Sequence, residues 1–274
     1  MSARLHFDPA TRFSLRQLAA FFNAAYEGYA HPVGVTPEGL ARRVHEESLD
    51  LAASQVMEIK GEPVGLFLVG RRHNRAWCGG FGINKPQRGR GLAGSLVTEM
   101  IARTRATGAK AFQLEVLSAN VGARRVYERA GFQATRELVV YSSTPAPPNT
   151  TALAAFGRAD VLDHLRAVDR EAPLAHAWQR EVASLHARTD IEAFEVKGGA
   201  SGVLFSRMPD GSARLMSLRG PADRELGELV QALAASVTRL LVINEPAESP
   251  YHALLRAAGL LETTRQHEMR LPIA

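Results

Sequence analysis

One cysteine, Cys78, is all that 274 residues contain. A lone thiol excludes an intrachain disulfide and a zinc site built from this chain's thiolates. No run approaches ~18 consecutive apolar residues, which excludes a spanning helix, and no membrane partner is expected. The opening Met1-Ser2-Ala3-Arg4-Leu5-His6-Phe7-Asp8 has no apolar signal core, so a cytoplasmic protein is expected. The histidines form no i,i+4 pair and have no partner acids at zinc-like spacing, so no metal is expected. The arginines are scattered rather than gathered with interleaved aromatics, which argues against nucleic acid.

What is present is an ordinary globular composition, with 46% hydrophobic and 22% charged residues. The length exceeds the common domain size of ~100–150 residues, so two domains or one large one are open. The net charge of +5 is unevenly spread. Residues 1–147 hold 19 basic against 12 acidic side chains (+7), and residues 148–274 hold 14 against 16 (−2). An anionic ligand is therefore sought in the first half.

The clearest boundary is Ser142-Ser143-Thr144-Pro145-Ala146-Pro147-Pro148-Asn149-Thr150, where three prolines favour an extended connector. The expected organisation is a domain over 1–144, a linker over 145–150 and a second domain over 151–274. Upstream, Ser14 can cap a helix whose apolar face is Leu15, Leu18, Ala19, Phe22 and Ala25. A polar loop around His31-Pro32-Val33-Gly34 leads to a helix near 37–47. Strands are expected at 54–60 and 63–69, joined across Gly61-Glu62, and at 76–83. A helix over 92–107, a strand at 111–117, a helix at 121–130 and a strand at 135–141 follow. Downstream the plan repeats in weaker form: helices at 161–167 and 178–187, strands at 191–196, 202–206 and 213–218, a helix at 224–237, a strand at 240–244, a helix at 251–258 and a strand at 263–271. The expected fold class is mixed α/β in two units.

The richest local signal is Gln87-Arg88-Gly89-Arg90-Gly91-Leu92-Ala93-Gly94-Ser95, set between a strand and an amphipathic helix. Glycines let the backbone approach a ligand closely, and a helix's first N–H groups are unpaired and electropositive. Arg88 and Arg90 add formal positive charge, so phosphate suits the turn. Gly89 to Gly94 also fits G-x-G-x-x-G, with Glu115 a fixed distance on as a ribose acid, which is the outline of a dinucleotide-binding fingerprint. Against that outline, Asn84-Lys85-Pro86-Gln87-Arg88 separate the strand from the first glycine.

The segment Asn120-Val121-Gly122-Ala123-Arg124-Arg125-Val126-Tyr127-Glu128-Arg129-Ala130-Gly131-Phe132 decides between them. Together with Arg88-Gly89-Arg90-Gly91-Leu92-Ala93, read as [QR]-x-x-G-x-[GA], it resembles the Gcn5-related N-acetyltransferase (GNAT) superfamily. Asn120, Ala123, Tyr127, Glu128, Gly131 and Phe132 meet the later pattern N-x-x-A-x-x-x-Y-E-x-x-G-F position for position. The motifs span residues 76–132, and the order of elements extends the likeness over 1–147.

The resemblance implies a mixed, mostly antiparallel sheet flanked by helices, and direct acetyl transfer from acetyl-CoA, as co-substrate, to an amine. It implies that the backbone from Arg88 through Gly94, with Ser95, holds the pyrophosphate. It further implies that the strand at Phe81, Gly82 and Ile83 pairs with the pantetheine arm and that Asn120 bonds that arm. Asn120 can also cap the following helix. Tyr127 is the candidate proton donor to the leaving thiolate. Glu115 is a candidate base or a structural carboxylate. Glu27 and Tyr29 lie where the acceptor site is lined in such folds, with a solvated surface acid as the other reading of Glu27. His73 and Glu58 are weaker candidates, and Cys78 reads as packing.

In the second half, Leu240-Leu241-Val242-Ile243-Asn244 and the helix before Gly259 look like an eroded copy of residues 114–132, with Leu255 where Tyr127 stood. Asp223 and Glu225 at the preceding helix start would repel a pyrophosphate. The expectation is a tandem arrangement with a catalytically silent second GNAT-like domain. The acceptor, a small-molecule or peptide amine, stays open, as does a homodimer. A non-catalytic acyl-CoA-binding regulatory module and a nicotinamide-dependent oxidoreductase are the competing functions.

Overall fold

In the computed structural model, residues 5–29, 34–171 and 175–273 are described. The loop expected at His31-Pro32-Val33 lies outside them. The chain divides into unit 1, Met1–Thr135 with Glu268–Ala274, and unit 2, Arg136–His267.

In unit 1 the chain opens on β1 (Leu5–Pro9), an edge strand that the sequence reading passes over because only Leu5 and Phe7 mark its inner face. β1 lies antiparallel to β2 (Leu49–Ile59), β2 to β3 (Glu62–Arg72), and β3 to β4 (Arg75–Ile83). Lys60 and Gly61, both at positive φ, make the tight turn between β2 and β3. β5 (Ala111–Leu117) runs parallel to β4. Beside β5 lies the end of the final strand, β12 (Leu260–Pro272), whose residues from Glu268 onward belong to unit 1. Ile273 N–H donates to the Lys110 carbonyl at 2.9 Å and Met269 is fully buried, which explains why this short C-terminal segment is held there.

Ser14 starts α1 (Leu15–Tyr26) through a reciprocal cap. Its hydroxyl accepts from the Gln17 N–H, and its own N–H donates to Gln17 Oε1. Thr36 caps α2 (Pro37–Glu46) at the Gly39 N–H. α1 packs on β3 and β4, where a Cβ at Gly82 would sit 2.9 Å from the Ala25 Cβ. α3 (Leu92–Ala106) and α4 (Val121–Arg129) complete unit 1. Leu96 and Met100 of α3 share a buried cluster with Met57, Phe67, Phe112 and Phe132.

Unit 2 takes most of β6 (Gln133–Ser143), then β7 (Gly157–Ala159), α5 (Val161–Glu171), α6 (Val182–His186), β8 (Ile191–Glu195), β9 (Gly202–Arg207), β10 (Ala213–Arg219), α7 (Arg224–Ala235), β11 (Leu240–Pro246) and α8 (His252–Ala257). Its strand order is β7-β8-β9-β10-β11-β6, followed by the first part of β12. Leu226, Leu229, Val230 and Leu233 on α7 bury against Val203, Phe205, Leu215 and Val242. The proline-bearing stretch falls inside this unit, where Ala146 N–H donates to Thr238 O and Asn149 N–H to Ala235 O. The helix expected over 178–187 is a 3-10 turn, Trp178–Arg180, followed by α6. Glu181 between them is extended (φ −64, ψ 148) because Arg180 is drawn inward to partners described below.

Candidate active site

β4 and β5 pair only through Arg75 with Ala111, Ala76 with Phe112 and Trp77 with Gln113. Leu68 then faces Gly80 while Val69 faces Cys78, so Gly79 is an extra residue in β4, a bulge at the point where pairing stops. A bulge bends its strand, and here it turns Phe81, Gly82 and Ile83 away from β5. Arg43 of α2 secures the bulge by donating to the Gly79 carbonyl at 2.7 Å, while its Nε donates to Glu47. Among the described residues the result is a cleft between diverging parallel strands.

Beyond Ile83, a 3-10 turn over Lys85–Gln87 leads into the glycine loop. Gly89 (φ 76) and Gly91 (φ 79) both hold left-handed backbone, and Gly91 is the N-cap of α3 with no side-chain cap. A Cβ built at Gly89, Gly91 or Gly94 would meet no atom within 4 Å. These glycines therefore border open space at an uncapped helix N-terminus, the arrangement that suits a pyrophosphate. Leu92 and Ala93 are half-buried at the base of the turn, and Ser95 is exposed. The two arginines differ. Arg88 is committed to the main chain, donating to Ile83 O (2.9 Å), Ala25 O (2.9 Å) and Glu27 O (2.8 Å). It is a brace that shapes the loop. Arg90 is exposed, with one donation to Gln87 Oε1 at 2.6 Å.

Asn120 caps α4, its Oδ1 accepting from the Ala123 N–H at 3.1 Å, and burial raises the pKa of Tyr29 while the nearby Asn120 side chain lowers it. Tyr127 is the only buried residue of α4. Its ring meets Phe81 edge-on (centroids 5.5 Å apart) and Phe132 (5.9 Å). No hydrogen-bond partner for its hydroxyl stands among the described residues. Burial, helped by Cys78, Tyr26 and Tyr29, holds its pKa well above the ordinary phenol value. Tyr127 is thus a neutral phenol at physiological pH, beside the freed part of β4.

The carboxylates are differently placed. Glu115, two residues beyond the last paired rung of the two strands, accepts from Trp77 Nε1 at 2.7 Å. Glu27 is exposed and ion-paired to Lys85 Nζ at 3.2 Å. Cys78 bonds the Gly80 carbonyl at 3.5 Å, and burial pushes its thiol up to about 12, which leaves it without a thiolate near neutrality.

Two participants escape sequence reasoning. Tyr26 stacks on Phe22 (centroids 4.4 Å), and its hydroxyl accepts from the Phe81 N–H at 3.2 Å, so it sits against the freed strand. Burial raises it to about 12. Its signal in the sequence is position alone, four residues after Phe22 on the buried side of α1. Arg43 carries a similar signal, three residues after Leu40 on α2. Among the described residues, no group of three or more His, Cys, Asp or Glu could hold a metal, and no helix is long and apolar enough to cross a membrane.

Unit 2 repeats the strand device. β10 and β11 pair in parallel only through Ala213 with Leu240, Arg214 with Leu241 and Leu215 with Val242, and Met216 is the extra residue against β9. Arg180 Nε donates to the Met216 carbonyl at 2.9 Å, as Arg43 does to Gly79. The α7 start is unlike that of α3, because Asp223 caps it at the Leu226 N–H (3.0 Å) and Glu225 follows.

Comparison with known proteins agrees with this geometry. Residues 17–132 match the acetyltransferase (GNAT) family. A search of curated proteins returns no match. Among solved structures, a tandem GNAT protein from the clavulanic acid biosynthesis pathway superposes with a TM-score of 0.71 at 15% identity, covering 99% of each chain. A Gcn5-related N-acetyltransferase from Sphaerobacter thermophilus gives 0.70 at 17%, covering 98% of this chain and 96% of that one. One from Kribbella flavida gives 0.60 at 16%, covering 98% and 72%. The chain therefore has the fold of a tandem GNAT protein along its length. The mostly antiparallel sheet of unit 1 is incompatible with a doubly wound dinucleotide fold.

Proposed function

With residues 17–132 matching the acetyltransferase (GNAT) family, we propose that unit 1 is a domain of that family and transfers acetyl directly from acetyl-CoA to a primary amine, and that unit 2 is catalytically silent. The observation that carries this reading is the uncapped, glycine-lined start of α3 opening beside two diverging strands, with a protonated phenol at their edge. Acetyl-CoA supplies the activated thioester when bound.

The residues divide the work. Amides from Gly89 to Ser95 hold the pyrophosphate at the positive end of α3, with Arg90 as the free charge and Arg88 as the brace. The freed edge at Phe81, Gly82 and Ile83 receives the pantetheine arm, opposite Asn120. Tyr127 Oη holds the proton that the departing sulfur needs. Its burial keeps that proton on the oxygen until the charge develops. Glu115 is better read as the structural carboxylate, since the Trp77 N–H that it accepts ties β5 to β4. Tyr29 lines the acceptor side, near Asn120. In unit 2 the acidic start of α7 and Leu255 in place of the phenol remove both halves of the machinery.

Calorimetry with acetyl-CoA, coenzyme A and NADH, followed by thiol release with an amine panel, tests this. One acetyl-CoA site per chain, no NADH binding and amine-dependent thiol release are expected. Two acetyl-CoA sites would overturn the silent second unit, and no acetyl-CoA binding would overturn the whole reading. Binding without thiol release across the panel would favour a non-catalytic acyl-CoA-binding module.

A further inference from the structure

Unit 2 contains a cavity of about 450 Å³, within the range of small-molecule sites. It lies where the ends of β10 and β11 have parted, which is the place in unit 2 that corresponds to the cleft of unit 1. Val168, Leu218, Pro246, Pro250 and the Tyr251 ring give it largely apolar walls, and the Tyr251 hydroxyl is turned to the Gly220 carbonyl at 2.9 Å. A coenzyme A pyrophosphate has no seat here, because the Asp223 carboxylate already occupies the start of α7. The occupant must be a smaller molecule without an anionic tail.

The charges around the cavity select its sign. Every nearby cation has its own partner. Arg180 is ion-paired with Glu245, both buried, and also bonds Met216 O. Arg219 donates to Gly199 O at 2.6 Å and to Glu195 at 3.2 Å. His176 is held neutral, pushed down to about 4 by burial and then by Arg180. Arg219 Nε is buried and without a hydrogen-bond partner, but the charge of that guanidinium is already met by Glu195. Two features favour a cation. Glu171, exposed at the end of α5, has no ion pair among the described residues. His176 Nε2 is buried and has no hydrogen-bond partner among them, and a neutral imidazole can offer a lone pair there.

We propose that this cavity is a second ligand site, independent of acetyl transfer in unit 1, for a small organic ammonium ion carrying an apolar group. The apolar group fills the space between the strands, and the ammonium lies between Glu171 and His176. With the Tyr251 phenol turned to the Gly220 carbonyl, an aspartate in place of a phosphate loop and no acyl donor, the site binds without reacting.

The test uses the full chain without acetyl-CoA and reads calorimetric titration with phenethylamine, phenylacetate and 2-phenylethanol as probes. Phenethylamine is expected to bind at one site per chain, at least tenfold more tightly than either control. Glu171→Gln should weaken it at least tenfold. Ala222→Trp, on the exposed loop at the cavity wall, should abolish it while circular dichroism reports an intact fold. If that variant does not fold, Glu171→Gln decides. Gly91→Glu, which blocks the cofactor loop of unit 1, should leave phenethylamine binding unchanged. Absence of phenethylamine binding, equal binding of phenylacetate, or undiminished binding to a folded Ala222→Trp or to Glu171→Gln would overturn the proposal. None of these outcomes bears on acetyl-CoA binding in unit 1.

Discussion

Unit 1 and unit 2 are built on the same backbone device and finished with different side chains. Each has a short parallel pairing that ends at a bulge, Gly79 or Met216, and each has an arginine donating to the bulge carbonyl. In unit 1 the space beyond the bulge opens onto an uncapped helix start lined by glycines. In unit 2 an aspartate caps the corresponding helix, and a buried Arg180–Glu245 pair spans the parting strands. The backbone geometry that makes a cleft is thus separable from the chemistry placed in it. A handful of positions decides whether the corresponding helix start is left uncapped or closed by a carboxylate.

The sharpest way to break the comparison is at Gly91. Gly91→Glu places a carboxylate and a strained left-handed residue where the pyrophosphate would lie. It should abolish acetyl-CoA binding by calorimetry and leave the unfolding of unit 2 unaltered. Wild-type affinity in this variant would remove the loop from the site. Next is Tyr127→Phe, which keeps the ring packing on Phe81 and Phe132 but removes the proton. A fall in kcat of about 10²-fold with unchanged acetyl-CoA affinity is expected. Equal turnover would take Tyr127 out of the mechanism.

The bulge arginines sharpen the comparison on stability. Arg180→Met strands a buried carboxylate, Glu245, and should cost unit 2 about 3–5 kcal/mol. Arg43→Met should cost unit 1 less, because its partner pair retains 23% and 15% side-chain exposure against 4% for both members of the buried pair. Each unit carries one tryptophan, Trp77 or Trp178, so denaturant unfolding followed by fluorescence of single-tryptophan variants separates the two effects. A larger loss at Arg43 would reverse this ranking.

Acid and alkali should separate the two units in opposite orders. His164 and His176, both in unit 2, are lowered to about 4, first by burial. Their folded forms resist protons that the unfolded chain accepts below its ordinary value of about 6.5. The stability they preserve is therefore intact above that value and is lost as pH falls toward 4, by about 2 kcal/mol per histidine at pH 5. Tyr26, Tyr29, Tyr127 and Cys78 of unit 1 are all raised by burial, so that unit loses stability at alkaline pH as the unfolded chain ionises first. Trp178 should report the earlier transition at pH 5 and Trp77 at pH 10.5. The same order at both pH values would contradict this assignment.

Much of unit 1 was legible because its signals are local. Ser14 and Asn120 act as caps within three residues of themselves, and a glycine loop before an amphipathic helix needs no distant partner to be recognised. β1 was missed because an edge strand needs only two inward residues. The bulges were missed because an extra residue is defined by the neighbouring strand, not by its own type. Arg88 looked like a phosphate ligand, and only the Ala25 and Glu27 carbonyls, more than sixty residues away in sequence, make it a brace.

By itself the sequence determined the alternation of helices and strands, the phosphate-suited loop, the position of Tyr127 and the leucine, Leu255, four residues before Gly259. Those depend on periodicity, capping and backbone freedom, which are properties of neighbouring residues. Tertiary structure alone decided that Tyr26 and Arg43 reach β4, that Glu115 is bound to Trp77, and that the segment from Glu268 onward belongs with the first unit. Each of those turns on a hydrogen bond or a buried contact between residues far apart in the chain, and such pairings exist only once the strands have found their register.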